Sequence, residues 1–162
     1  KYLIFIKNRE DIHFVLIGGG TRLPILKEMA EDMGLTEHIT FTGRIPDEPM
    51  VEALCSSDVC VNPDIANDMN DKSTMNKIME YMALEKPLVQ YDLTEGKVSA
   101  QRASLYAERN DPHDFGEKIE YLLDRPELRK EMGRFGRKRV VEELHWGVES
   151  QKYLKVYEQL LN

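Results

Sequence analysis

Short apolar runs rich in β-branched residues alternate along this chain with segments whose apolar residues recur every three to four positions, and no other feature constrains the fold as strongly. When a helix follows each strand, the connection returns the chain to the same end of the sheet, so the strands must pair in parallel. Ile12–Ile17 (IHFVLI), Ile39–Thr42, Val59–Asn62, Pro87–Tyr91 and Ser104–Ala107 read as the strands. The first is almost unbroken apolar sequence, as expected of a strand covered on both faces. Helices are expected from Thr21 to about Met33, stopped by Gly34, from Asp47 to about Cys55, and from Ser73 to Leu84. Beyond Pro112 the pattern is helical over 112–123, 126–143 and 147–161, with Pro126 in a first turn where its missing N–H costs little. Lys1–Asn8 reads as the tail of a helix. It opens on an apolar stretch without a signal-peptide cleavage pattern, so the first elements of the domain are expected upstream. The whole chain is expected to form one α/β domain, a doubly wound, Rossmann-like parallel sheet with helices on both faces and a C-terminal helical tail.

Charge narrows the partners. Asp and Glu outnumber Lys and Arg by 29 to 22, a formal charge of −7, which argues against a nucleic-acid footprint. A phosphate ligand remains compatible, because one helix terminus can hold an anion locally. Cys55 and Cys60 have apolar neighbours and no CxxC spacing, so they read as small core hydrophobes in a reducing cytosol, not a disulfide or a zinc pair. No apolar run approaches the length that spans a bilayer.

In doubly wound folds ligands lie outside the carboxyl ends of the strands, which directs attention to 18–21, 43–46, 63–73 and 92–102. The helix after the third of these is the most informative. At about 100° per residue, Met75, Ile78, Met79 and Met82 form an apolar stripe, and Ser73, Lys77, Glu80 and Leu84 fall on the opposite side. Ser73 or Thr74 would stand at the entry, leaving the N–H groups of residues 74–76 free to meet an anion together with the positive end of the helix dipole. Lys77 would add a mobile positive charge, and Glu80 could accept hydrogen bonds from vicinal hydroxyls. The competing explanation is plain: Lys77 and Glu80 stand three residues apart and could form a solvated surface pair.

Taken in order, FVLIGGGTRLPILKEMAEDMGL, ITFTGRIPDEPMVEAL, SSDVCVNPD, STMNKIMEYMALEKPLV and HWGVESQKYLKVYEQLL resemble the C-terminal domain of the family 4 retaining glycosyltransferases, which have the GT-B fold. The resemblance implies that the chain binds the nucleotide of a nucleoside-diphosphate sugar, that no metal is needed, and that an N-terminal acceptor domain of the same protein is absent from this sequence. Glu80 matches the second acid of the family's E-x7-E motif, which holds the donor's ribose. Ser73, Thr74 and Met75 match the backbone cradle for the diphosphate. Arg44 and Ile45 match the segment that meets the nucleobase, and Gly18, Gly19 and Gly20 match the glycine turn near the donor cleft. The first acid of the motif should stand at position 72, where this chain has Lys72, with Asp71 one residue earlier. Glu80 and Asp71 are therefore candidate donor contacts, and no catalytic residue is assigned.

Other features are read more simply. Gly18-Gly19-Gly20-Thr21 lacks dinucleotide-binding G-x-G-x-x-G spacing, since position 23 is Leu. The methionines read as core filler, and Trp146 as a packing anchor between helices. Arg134, Arg137, Lys138 and Arg139 read as a solvated basic face, with peripheral contact to an anionic membrane as the lesser reading. His13, His38, His113 and His145 read as structural or solvent-facing. The expected activity is transfer of a sugar from a nucleotide sugar to a saccharide or lipid-linked acceptor in polysaccharide biosynthesis, in the cytoplasm. The alternatives are a GT-B-like sugar-nucleotide epimerase fragment and a non-catalytic, receiver-like α/β binding domain. The latter would need an acidic cluster, whereas Asp58, Asp64 and Asp92 are scattered.

Overall fold

The computed structural model describes residues 2–161, so Lys1 of the expected N-terminal helix lies outside the described residues. The chain forms two compact units, the first ending at Ser56 and the second starting at Ser57.

The first unit runs from a helical turn, Tyr2–Ile6, through β1 (Phe14–Ile17), α1 (Leu23–Asp32), a 3₁₀ turn at Thr36–His38, β2 (Ile39–Gly43) and α2 (Asp47–Ser56). β1 and β2 pair in parallel from Phe14 opposite Ile39, with a register shift that sets Ile17 opposite Gly43. The ladder starts at Phe14 instead of Ile12, since the partner strand opens only at Ile39, directly after the 3₁₀ turn; the Ile12 carbonyl faces His38 Nδ1 at 3.2 Å. Among the described residues β1 pairs with β2 alone, and Val15 and Leu16 are 51% and 40% exposed. The expectation that this strand is covered on both faces is therefore not met. α1 ends at Gly34, whose positive φ (65°) lets its N–H reach the Glu31 carbonyl and the Leu35 N–H reach that of Ala30. This is a Schellman closure with glycine in its usual place.

In the second unit a parallel sheet of order β3-β4-β5 is built from Cys60–Asn62, Leu88–Tyr91 and Ser104–Ala107. β4 lies in the middle and all four of its residues are buried. α3 (Asn76–Ala83) follows β3, α4 (Thr94–Ala100) follows β4, and α5 (Pro112–Leu123), α6 (Pro126–Arg139) and α7 (Trp146–Leu161) complete the chain. A wide-turn helical segment, Val140–Leu144, continues α6. Ile78 and Met82 of α3 pack with Leu88, Ala100 and Ala103 in a fully buried core. Each large side chain there gains roughly 1.5–3 kcal/mol from burial. On the other face Tyr91 meets Phe115 of α5 edge-on, ring centroids 4.9 Å apart. Helices thus lie on both faces of this sheet, as the alternating pattern requires.

Three local expectations change. The 92–103 connection holds α4, which its seven-residue length and Gly96 conceal in the sequence. A Cβ at Gly96 would lie 2.4 Å from Oε1 of the buried Gln90, so a larger residue there would force that side chain to shift. The basic cluster is not a solvated face throughout. Arg137 donates to the Ala83 carbonyl at the end of α3, and buried Arg139 donates at 3.0 Å to the Ser99 and Val98 carbonyls of α4 and pairs with Glu143. Trp146 is 71% exposed and its ring lies near that of Tyr153 in its own helix, so among the described residues it does not act as a buried anchor between helices.

α3 closes like α1 but with a different residue. The Glu85 N–H reaches the Met82 carbonyl, the Lys86 N–H that of Tyr81, and Glu85 holds the positive φ (58°) that glycine usually takes. Gly133 of α6 lies against this turn. A Cβ there would stand 2.0 Å from the Glu85 carbonyl oxygen.

Candidate functional site

In each unit, residues expected to contact the donor follow the carboxyl ends of strands. In the first, β1 runs into Gly18-Gly19-Gly20 and β2 into Gly43-Arg44-Ile45. The register shift at Ile17 brings the two ends side by side. The Gly18 N–H donates to the Gly43 carbonyl at 2.9 Å, and a Cβ on Gly19 would lie 3.6 Å from the Arg44 nitrogen. Gly18 has φ of 145° and Gly43 of 66°, backbone states that favour glycine. The predicted glycine turn and the predicted base-contacting segment are thus neighbours, and the Arg44 side chain is exposed.

The second unit holds the helix entry. α3 begins at Asn76, three residues later than expected, with Met75 at its extended N-cap and no side-chain cap. The reason lies in the two hydroxyls expected to cap it. Ser73 Oγ donates to the Met69 carbonyl at 2.6 Å, and Thr74 Oγ1 donates to Glu95 Oε1 at 2.8 Å. Neither is left in place as an acceptor for the first turn. The N–H groups of Asn76 and Lys77 therefore open the helix without i−4 partners, while the Ile78 N–H reaches Met75. These amides, and not those of 74 and 75, stand at the positive pole of α3. Ser73, Thr74 and Met75 form the extended approach to it.

The amphipathic reading of α3 holds. Ile78 and Met82 are buried, whereas Glu80 is exposed. The surface-pair explanation for Lys77 and Glu80 does not, because Lys77 Nζ lies 2.8 Å from Asp64 Oδ2. Asp64, two residues past the end of β3, keeps the ammonium by the helix entry and leaves the Glu80 carboxylate open. Tyr81, the next residue, faces inward, and burial pushes its phenol up to about 12.

Asp71 is not a free carboxylate. It accepts from the Thr94 N–H and from Thr94 Oγ1, both at 3.0 Å, and from Arg109 at 2.7 Å. These donors, the Thr94 N–H foremost, hold its pKa below the usual carboxylate range. The residues around it, Thr94, Glu95, Arg109 and Asn110, carry no recognisable motif and become neighbours only through the parallel order of β4 and β5. Beneath the same end of the sheet, Asn62 (1% exposed) and Gln90 (fully buried) stand opposite each other in the β3–β4 register. Among the described residues, neither oxygen of the pair, nor the Asn62 amide nitrogen, has a hydrogen-bond partner. Cys55 and Cys60 form no disulfide; Cys60 is buried, as expected of a small core hydrophobe, whereas Cys55 is exposed and is not part of the core. Among the described residues, no group of three or more His, Cys, Asp or Glu side chains is placed to hold a metal ion, and no helix is long and apolar enough to cross a membrane.

Comparison with known proteins places this geometry. The family model described as glycosyl transferases group 1 matches residues 3–125. An uncharacterized glycosyltransferase of Methanocaldococcus jannaschii is 23% identical over 95% of this chain, which spans 38% of that relative's length. A GDP-mannose-dependent mannosyltransferase of Mycolicibacterium smegmatis is 38% identical over 53 residues, 33% of this chain and 14% of its own. Among solved structures, a glycosyltransferase from Rickettsia africae superposes with a TM-score of 0.82 at 18% identity, covering 97% of this chain and 42% of that one. A sucrose-phosphate synthase from Thermosynechococcus elongatus superposes at 0.79 and 20% identity, covering 91% and 38%. The fold is therefore the Rossmann-like half of a GT-B glycosyltransferase. The chain belongs to the group 1 glycosyl transferases.

Proposed function

We propose that this chain is the donor-binding half of a retaining glycosyltransferase. It holds a nucleoside-diphosphate sugar, while an N-terminal domain of the same protein supplies the acceptor, a saccharide or a lipid-linked sugar. The observation that carries this reading is the arrangement at the head of α3: an uncapped helix entry, Lys77 drawn beside it by Asp64, and an open Glu80 on the same solvent-facing side. The amides of Asn76 and Lys77 and the Lys77 ammonium suit a diphosphate, and Glu80 suits the ribose hydroxyls. Gly18, Gly19, Gly20, Arg44 and Ile45 would serve the sugar and the nucleobase. As the glycosidic bond to the donor breaks, negative charge builds on the leaving diphosphate, and a preorganised positive helix end stabilises it without a metal ion. Two comparisons favour a nucleoside-diphosphate ligand: the Mycolicibacterium relative is named as GDP-mannose-dependent, and a Staphylococcus aureus TarM structure, matched at a TM-score of 0.80 and 19% identity over 94% of this chain and 30% of that one, contains UDP. The chain spans 38% of the Methanocaldococcus relative and 30–42% of these structures, which leaves room in the whole protein for the acceptor domain. The exposed apolar residues of α7, among them Tyr153, Leu154 and Tyr157, are the surface offered to it.

Calorimetry with UDP, GDP and ADP on this chain tests the reading. At least one diphosphate is expected to bind weakly, and Lys77→Ala and Glu80→Ala are each expected to weaken it about tenfold, the worth of a hydrogen bond to a charged group. Binding indifferent to both substitutions would refute the assignment of these two residues.

A further inference from the structure

The polar segment between β3 and α3, which looks unconstrained in the sequence, is tied down at both ends by residues that follow β4 and β5. At its start the Ala66 N–H donates to Asn110 Oδ1 at 2.7 Å, and Asn110 Nδ2 donates back to the Ala66 carbonyl at 3.2 Å. At its end Asp71 takes the Thr94 N–H, the Thr94 hydroxyl and Arg109. One step further on, Thr74 Oγ1 bonds Glu95. Asn110 holds a positive φ of 60°, which suits its side chain to reach a neighbouring backbone.

From these contacts we infer that Asp71 and Asn110 are positioning residues: with Thr94 and Arg109 they form a clamp that sets the approach to α3 in advance of donor binding. This rests on the donor-binding reading above. It also assigns a use to the acid beside Lys72. Asp71 spends its oxygens on three protein donors, so it acts through the segment it holds and does not contact the transferred sugar. Thr94 matters more than Arg109 in this scheme. Its two bonds, one from the backbone, fix the carboxylate to the start of α4, whereas Arg109 is a half-exposed side chain, and ion pairs of such groups contribute little. A segment fixed beforehand loses less conformational entropy when a ligand docks, which is how a residue without ligand contact raises affinity.

The test combines hydrogen exchange on the unliganded chain with nucleoside-diphosphate calorimetry. Asp71→Ala should deprotect the 64–78 segment and lower affinity about tenfold, with Asn110→Ala acting in the same direction. Asp71→Asn keeps an oxygen for the Thr94 N–H and should restore affinity to within about threefold of the parent. Ile119→Val, a buried change in α5, supplies a control of lowered thermal midpoint and should leave affinity unchanged. Unchanged exchange in Asp71→Ala overturns the clamp whatever binds. If Asp71→Asn fails as badly as Asp71→Ala, the free charge and not the held segment is what matters, and the inference fails. If the parent binds no diphosphate although 64–78 is protected, the donor-binding reading falls, and with it the purpose given to the clamp.

Discussion

Gly133→Ala and Gly136→Ala, three residues apart on α6, should have different outcomes. Either change removes a glycine from a helix interior, which by itself favours the folded state by about 1 kcal/mol. At Gly133 the new Cβ would stand 2.0 Å from the Glu85 oxygen and 2.7 Å from its carbonyl carbon. Carbon atoms in contact want roughly 3.5 Å or more, so α6 and the Glu85 turn must part by over 1 Å. That turn is backbone, pinned by the two bonds that close α3, and cannot swing aside as a side chain can. Overpacking costs typically 1–3 kcal/mol, and here the upper end applies, for a net loss of about 2 kcal/mol. At Gly136 the nearest atoms are Ala103 Cβ and Met82 Cγ, both at 3.1 Å. A methionine can adjust by a few tenths of an ångström, so cost and gain roughly cancel. Urea unfolding followed by far-UV circular dichroism compares the two with the parent. For a chain of this size Gly133→Ala should also lower the midpoint of thermal unfolding by about 4–8 °C. Equal losses in the two variants, or a Gly133→Ala protein as stable as the parent, would show that the closeness of α6 to this turn is not what the glycine secures.

Glu85→Gly should stabilise the chain by about 0.5 kcal/mol, because relief of a left-handed non-glycine conformation, worth about 1 kcal/mol, exceeds the extra freedom glycine has when unfolded. Gly34 already fills the equivalent place after α1, and a loss of stability in the same urea assay would contradict the argument. Acid should destabilise the chain in a defined window. The Lys118 ammonium and the Glu108 N–H hold Asp114 below the usual carboxylate range, so its contribution is complete above the unfolded value near 3.8 and is lost as pH falls through the lower folded value. Thermal midpoints measured from pH 6 down to pH 2 should therefore drop below about pH 4 and drop less in Asp114→Asn; identical profiles would exclude Asp114 as a contributor.

The order of elements was legible because period-two and period-3.6 patterns survive in a short chain. Ser104–Ala107 and Pro112–Leu123 match to the residue, and the buried stripe of α3 follows from Ile78 and Met82 alone. What the pattern could not supply was the destination of polar side chains. Ser73 and Thr74 have the chemistry of helix caps, yet tertiary acceptors at Met69 and Glu95 take their hydroxyls, and the helix starts later. Lys77 and Glu80 have the spacing of a surface pair, yet Asp64, thirteen positions upstream of Lys77, takes the lysine. Arg137 and Arg139 looked like ordinary surface charge because the carbonyls they serve belong to other helices. Asp71 stands beside a motif position, yet it is held by Thr94 and Arg109, 23 and 38 positions away. Backbone periodicity is local information; the partner of a side chain that crosses the sheet is not.

The Arg137 contact changes how α3 looks electrostatically from outside. A helix in isolation carries opposite partial charges at its two ends, and at a distance they largely cancel. Here a guanidinium lies against the Ala83 carbonyl and offsets the negative charge of the tail, while among the described residues no side chain caps the head. To an approaching anion α3 is closer to a lone positive pole than to a balanced rod.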